Sequence, residues 1–168
     1  MGSRPGEFGH GRYGFGRPCV QTVARPGNQR PVMFACQEIV VTDRGPVATF
    51  DLSAVQLAAI DAALEAHRIA GYAQRSLEVD DVLALAKLRD VTEQVTPLAA
   101  AGAHGTLRVD TDGVRALGHA IAGYLVARDG DGYQPPELRE RIAVLDTLTG
   151  ELFDLAQALE AARRAAAD

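Results

Sequence analysis

Three carboxylates in the C-terminal half have a spacing that could bind calcium. Asp129, Asp131 and Glu140 stand at positions 1, 3 and 12 of a would-be EF-hand loop, where such loops carry oxygen ligands. The sixth position of that loop requires Gly for its sharp turn, but here it is Gln134, and two prolines follow. The sequence therefore predicts no calcium site at this junction.

Transition-metal and redox sites find no better support. Among the four histidines no two are spaced i,i+4, and the chain has neither an HExxH helix nor a Cys/His cluster. Cys19 and Cys36 form neither a CxxC pair nor a disulfide framework. We therefore interpret both as reduced thiols, and we expect no metal and no cofactor.

The motifs of nucleophilic catalysis and nucleotide binding are also missing. The three serines are Ser3, Ser53 and Ser76, and none lies in a GxSxG elbow. No P-loop exists, and no GxGxxG can be placed between a strand and a helix. The sequence predicts no catalytic residue and disfavours an enzyme, although a site assembled from distant residues stays open.

The net charge of −5 is unevenly distributed. Residues 1–48 hold six Arg and three acidic residues, a balance of +3, whereas residues 49–168 hold eleven basic and nineteen acidic residues, a balance of −8. An acidic body repels a phosphate backbone, so we do not expect it to dock on nucleic acid by itself. The composition, with 29 Ala and 16 Arg against one Lys, is typical of a GC-rich bacterial genome.

The N-terminal segment has the composition of an arm. Residues 1–32 contain seven of the seventeen Gly and four of the eight Pro, without an apolar period, so we predict disorder over residues 1–35. A Gly-rich stretch in this arm also carries cations and rings, namely Arg12, Tyr13, Phe15 and Arg17. That stretch resembles the tracts with which single-strand RNA binders stack on bases. The alternatives are an unstructured tail and a mis-assigned start, with Met33 as the first residue.

The ordered domain is predicted to begin near Cys36 with a β-hairpin. Residues 38–42 are a β-branched run, and residues 46–52 alternate polar and apolar side chains. The connection 43–45 is three residues long and puts Gly45 where positive φ is favoured.

Three helix starts are marked by their residues. Ser53 and Gln56 match a capping box. Asp110 can cap a third helix, and Pro136 suits the first position of a fourth.

Apolar spacing gives the extents of the helices. It predicts one helix over about 54–70, ended by Gly71, and a second over about 78–96, ended or kinked by Pro97. The helix that starts at Pro136 can run to about residue 165.

The second half of the domain repeats the pattern of the first. A shift of 57 residues superimposes the strand-to-cap junction 49–53 on 106–110. The same shift superimposes large apolar helix residues, Leu57, Ile60 and Leu64 on Val114, Leu117 and Ile121. We predict two strand–helix–helix repeats, over about 47–103 and 104–165, within one domain over 36–168. The predicted fold class is α+β, mainly α: a four-helix bundle with a small three-stranded antiparallel sheet.

The last predicted helix carries an apolar seam at heptad spacing, formed by Leu145, Leu148, Leu152, Leu155 and Leu159. Dimer seams are usually flanked by charged pairs, whereas the flanking residues here are mostly small or uncharged, and Phe153 widens the apolar face. These features favour burial inside the bundle. Exposure of the seam to a protein partner or a second copy is the alternative.

Four further residues are candidates for a site. Tyr72 and Tyr133 each lie in the predicted inter-helix loop of their repeat, and tyrosine is enriched at interaction hot spots; capping of the bundle end is the alternative. His67 and Tyr124 occupy equivalent repeat positions at the end of a core-facing stripe. They could line a pocket, with a structural histidine as the alternative.

These observations lead us to expect a non-catalytic protein-interaction or regulatory module that acts through helix surfaces on a protein partner or a second copy. One alternative is a nucleic-acid accessory protein that uses the arm. Another is a small-molecule-binding or enzymatic bundle with a pocket near His67 and Tyr124. No apolar run approaches the roughly 18 residues of a membrane span, and the first residues lack the apolar core of a secretory signal. We therefore expect a cytoplasmic protein without membrane association.

Overall fold

The computed structural model describes residues 36–73, 79–129 and 132–167. These residues form three strands and four helices, in the order β1 (Cys36–Thr42), β2 (Gly45–Leu52), α1 (Ala54–Ala73), α2 (Val79–Ala101), β3 (Gly105–Asp110), α3 (Thr111–Arg128) and α4 (Pro136–Ala165). The predicted class, four helices with a small antiparallel sheet, is confirmed. Strands β2 and β3 are each followed by two helices, and the duplication itself stays a prediction.

The sheet is antiparallel with the strand order β1-β2-β3, so β2 is central. In the β1–β2 hairpin Thr42 lies opposite Gly45, and Thr42 Oγ1 donates a hydrogen bond to the Gly45 carbonyl at 2.7 Å. Gly45 has a φ of 116°, so the predicted positive φ is confirmed. The connection is one residue shorter than predicted because Gly45 already pairs with Thr42 as the first residue of β2.

Two glycines should respond in opposite ways to a methyl group. Gly45→Ala is expected to cost about 1–3 kcal/mol, since a φ of 116° strains any residue with a Cβ. Gly150→Ala is the matched control, because Gly150 lies inside α4 with equally open space around the added Cβ. Helix propensity predicts that this change gains about 1 kcal/mol. Urea unfolding of both variants measures the difference, and a shift of the same sign in both would contradict it.

Both side-chain caps form as predicted. In the capping box the Ser53 N–H donates to Gln56 Oε1 at 2.7 Å, and the Gln56 N–H donates to Ser53 Oγ at 3.3 Å. At the start of α3 the Gly113 N–H donates to Asp110 Oδ1 at 2.7 Å. These bonds satisfy backbone donors that the first turn of a helix leaves without partners.

Two helix ends differ from the prediction. Helix α1 continues past Gly71 to Ala73, and α2 continues past Pro97 to Ala101. A single interior Gly costs a helix only about 1 kcal/mol relative to Ala, which does not by itself end it. Tyr72 consequently lies in the last turn of α1 and not in an inter-helix loop.

Helix α2 accommodates Pro97 because tertiary contacts hold its final turns. Val95 is fully buried, and Thr96 Oγ1 donates to Asp61 Oδ1 of α1 at 2.6 Å. The helix ends instead at Gly102, whose φ of 61° is the left-handed conformation common just after a helix C-terminus. Of the two predicted effects of Pro97, the end of the helix was therefore wrong, since packing outweighed the local penalty, and a kink stays a prediction.

The helices bury one apolar core against the inner face of the sheet. Helix α4 contributes the five leucines of the heptad seam, Leu145, Leu148, Leu152, Leu155 and Leu159, none more than 5% exposed. Helices α1 and α3 and strand β2 pack against α4. The seam is therefore buried inside the bundle in the folded chain, and the alternative, in which the seam is exposed, does not describe this structure.

Candidate interaction surface

The outer edge of β3 is covered by α2. Gln94 Oε1 accepts a hydrogen bond from the Arg108 N–H at 3.0 Å, and Gln94 Nε2 donates to the Arg108 carbonyl at 3.0 Å. One side-chain amide therefore makes both bonds that a neighbouring strand would make at Arg108. Further along this edge, Leu98 lies so close to Gly105 that a Cβ at Gly105 would overlap it. Edge strands are commonly protected from further pairing by such covers.

The outer edge of β1 has no strand beside it among the described residues. Val41 lies opposite Pro46, which has no N–H, so this pair is of the non-hydrogen-bonded kind. Antiparallel pairs alternate between the two kinds, so the pair of Ile39 with Ala48 is non-hydrogen-bonded as well. The N–H and C=O groups of Ile39 and Val41 therefore point to the open edge, where they can receive another strand.

The side chains of β1 leave this edge without the usual protection. Val40 is 40% and Val41 is 49% exposed, and Ile39 is partly buried against the core. The only charged residue of the strand is Glu38, and the strand contains no proline. The register of β1 with β2 shifts between Cys36 and Glu38, before this run begins. Charges, prolines and bulges are the devices that keep edges from pairing, and none interrupts the run from Ile39 to Val41.

Other large apolar side chains are exposed on the remaining described segments, namely Val55, Ile69, Val126, Tyr133 and Phe153. Tyr133, a predicted interaction residue, is the most exposed of them at 86%. Single exposed apolar residues are ordinary on a soluble protein. Val40 and Val41 differ because they belong to the strand whose backbone groups face the open edge of the sheet.

A polar cleft of about 550 Å³ lies where the β1–β2 turn, the end of β3, α2 and the start of α3 meet. Lys87 and Asp90 line it from α2, and Arg108 and Asp110 line it from β3. Lys87 Nζ donates to Asp110 Oδ2 at 2.5 Å. Cations and carboxylates are interspersed in this cleft, so its charge does not select one class of ligand.

The ion pair in this polar cleft shifts both of its members toward their charged forms. Partial burial alone would raise the pKa of Asp110, but the hydrogen bonds from Lys87 and from the Gly113 N–H outweigh it, and the pKa is lowered. The hydrogen bond to Asp110 raises the pKa of Lys87. Because Asp110 also caps α3, we interpret the pair as a tie between α2 and the start of α3.

The two predicted pocket residues do not line the polar cleft. His67 is half-buried on α1. Tyr124 is buried on α3, and the guanidinium carbon of Arg128 lies 5.4 Å from its ring centroid. A pocket near His67 and Tyr124 stays a prediction.

The described ranges contain neither a metal-binding cluster nor a membrane-spanning helix. Within residues 36–73, 79–129 and 132–167, no three His, Cys, Asp or Glu side chains are grouped as a metal would require. No helix in the same ranges has the length and apolar character needed to cross a bilayer. The predicted RNA-stacking residues of the arm, Arg12, Tyr13, Phe15 and Arg17, lie outside the described residues.

Sequence reasoning identified the β1–β2 hairpin but missed its open edge. The uncharged β-branched run at residues 39–41 was visible and could have drawn attention to it. The cover on the opposite edge was not visible, because it depends on Gln94 of α2 reaching a strand fourteen residues further along the chain.

Comparison of the chain with protein-family models, with curated proteins and with solved structures finds no match.

Proposed function

We propose that this chain is a non-catalytic protein-interaction module that binds a partner strand along the open edge of β1. The observation that carries the proposal is the contrast between the two sheet edges. Gln94 occupies the edge of β3, whereas no strand among the described residues pairs with the edge of β1, which carries two exposed valines. Addition of a strand to an exposed sheet edge is a recurrent mode of peptide and protein recognition.

The available contacts are sufficient for a specific but moderate interaction. A partner strand would pair with the N–H and C=O groups of Ile39 and Val41, and each hydrogen bond contributes about 0.5–1.5 kcal/mol net. Apolar cross-strand pairs at Val40 and Val41 would add roughly 0.2–1 kcal/mol each. The entropy lost on association offsets part of this favourable free energy, so we expect a reversible complex.

The helix surfaces are secondary in this proposal. The leucines of the α4 seam are buried and cannot meet a partner without unfolding. Phe153 is 65% exposed on α4 and could extend a contact, but no open backbone accompanies it, since helical peptide groups bond within the helix.

The test uses a synthetic peptide with the sequence of residues 36–43 carrying Cys36→Ser, added to dilute full-length chain. Amide hydrogen exchange, followed by NMR, is expected to slow at least about tenfold at Ile39 and Val41, which corresponds to about 1.4 kcal/mol of protection. The Arg108 amide is an internal control, because Gln94 already accepts its hydrogen bond. A scrambled peptide is the second control.

Two variants sharpen this experiment. Val40→Lys should remove the protection, because it places a charge in the centre of the added strand pair. Val55→Lys should retain it, since Val55 is an exposed valine on α1, away from the sheet edge. Equal protection by the intended and the scrambled peptide, or no slowing at either β1 amide, would contradict the proposal.

A further inference from the structure

We infer that the strand added to β1 is β1 of a second copy, so that two chains form a twofold-symmetric dimer with one continuous six-stranded sheet. This inference rests on the proposed function and names its partner. A twofold interface requires that the same patch be complementary to itself. The edge of β1 meets that requirement in its hydrogen-bonding groups and in the placement of its charged residue. Pairing through it also forms a closed dimer.

The hydrogen-bonding groups are self-complementary when the twofold axis passes through Val40. Ile39 then lies opposite Val41 of the second copy, and Val41 lies opposite its Ile39. These are the residues whose peptide groups point to the open edge, as the opposition of Val41 to Pro46 requires. Each open N–H and C=O therefore meets a partner of the correct kind.

The side chains in this register are also compatible. Val40 meets its own symmetry mate, so two partly exposed valines are covered together. Glu38, the only charged residue of β1, lies opposite Thr42 of the second copy and not opposite its own mate. Like charges directly across a strand pair are thereby avoided.

We expect the assembly to stop at two copies, because β1 provides the only open edge of the sheet within the described ranges. In the joined sheet both outer strands are β3, and in each copy Gln94 bonds both backbone groups of Arg108 at the edge of β3. Pairing through a single open edge gives a closed dimer, whereas two open edges would allow continued growth.

Sedimentation equilibrium of the full chain tests the inference. The chain of 17.8 kDa is expected to sediment with twice that mass at high concentration. Val40→Lys places two like charges opposite each other at the twofold axis and should raise the dimer dissociation constant at least tenfold. Val55→Lys, at a valine that is 54% exposed on α1, is the matched control and should leave that constant unchanged.

Circular dichroism checks that both lysine variants fold, and a second variant covers the case in which Val40→Lys does not. Val40→Cys, in a chain with Cys19→Ser and Cys36→Ser, should give a disulfide-linked dimer on mild oxidation. Residues of a non-hydrogen-bonded pair have Cα atoms about 4.5 Å apart, which lies within the range that a disulfide bridges. Val55→Cys in the same background should stay monomeric.

Each contrary result overturns a defined part of the argument. A dimer that both lysine variants leave intact would place the interface elsewhere and overturn the inference. A monomer with protected Ile39 and Val41 amides would mean that the chain's own residues 1–35 cover the edge, which also overturns it. A monomer whose β1 amides exchange freely would remove the folded second copy as partner. The proposed function would then stand only if excess peptide still slowed exchange at Ile39 and Val41.

Discussion

Leu148→Ala is expected to destabilise the folded chain by about 2–5 kcal/mol, the usual cost of truncating a buried leucine to alanine. Leu148 is 1% exposed and belongs to the α4 seam at the centre of the core. The measurement is chemical denaturation at low protein concentration, so that self-association does not contribute to stability.

Phe153→Ala is the matched control for this prediction. Phe153 lies on the same helix and is 65% exposed, so its truncation should change stability by about 0.5 kcal/mol or less. If Leu148→Ala left the stability of the monomer unchanged and weakened association instead, the seam would be an interface and not the core.

Asp110→Ala is expected to lose about 1–2 kcal/mol of stability, as for other N-cap residues changed to alanine. Asp110 accepts hydrogen bonds from the Gly113 N–H at 2.7 Å and from Lys87 at 2.5 Å. The ion pair is about one third exposed and adds little by itself in water. Asp112→Ala is the control, since Asp112 lies in the same helical turn and its closest ion-pair distance, to Arg115, is 3.9 Å.

The contribution of Asp110 should depend on pH in a defined direction. Its pKa is lowered in the folded chain, because the hydrogen bonds from Lys87 and Gly113 outweigh the cost of burial. The unfolded chain therefore binds the proton more readily, and stability rises with pH in this window. The contribution is complete above the unfolded carboxyl pKa, about 3.9, and is lost as the pH falls through the lower folded value.

Urea unfolding of the parent chain and of Asp110→Ala, at neutral and strongly acidic pH, measures this dependence. The difference in stability between the two proteins should be largest at neutral pH and should shrink in acid. A difference that stays constant down to pH 2 would show that the carboxylate charge does not contribute.

Local features of the fold could be read from the sequence because their physics is local. The capping bonds of Ser53, Gln56 and Asp110 join residues three apart in the chain, so a short window of sequence contains both partners of each of these bonds. The positive φ of Gly45 was predictable for the same reason, as was the start of α4 at Pro136.

Non-local features could not be read in this way. The end of α2 was mispredicted because Val95 and Thr96 are held by groups far along the chain, and this packing outweighs the local effect of Pro97. Periodicity alone gave the seam of α4 two interpretations, and the placement of α1, α3 and β2 against it decided for burial. The open edge of β1 follows from strand order, which no local pattern determines.

The concentration dependence of amide exchange at Ile39 and Val41 in the full chain tests the central claim most directly. We predict that exchange at both amides is fast in dilute solution and slows as the chain concentration rises, in parallel with the dimer fraction. The Arg108 amide, held by Gln94, should exchange at a constant rate throughout. Exchange at Ile39 and Val41 that does not change with concentration would contradict an edge of β1 that pairs with a second copy.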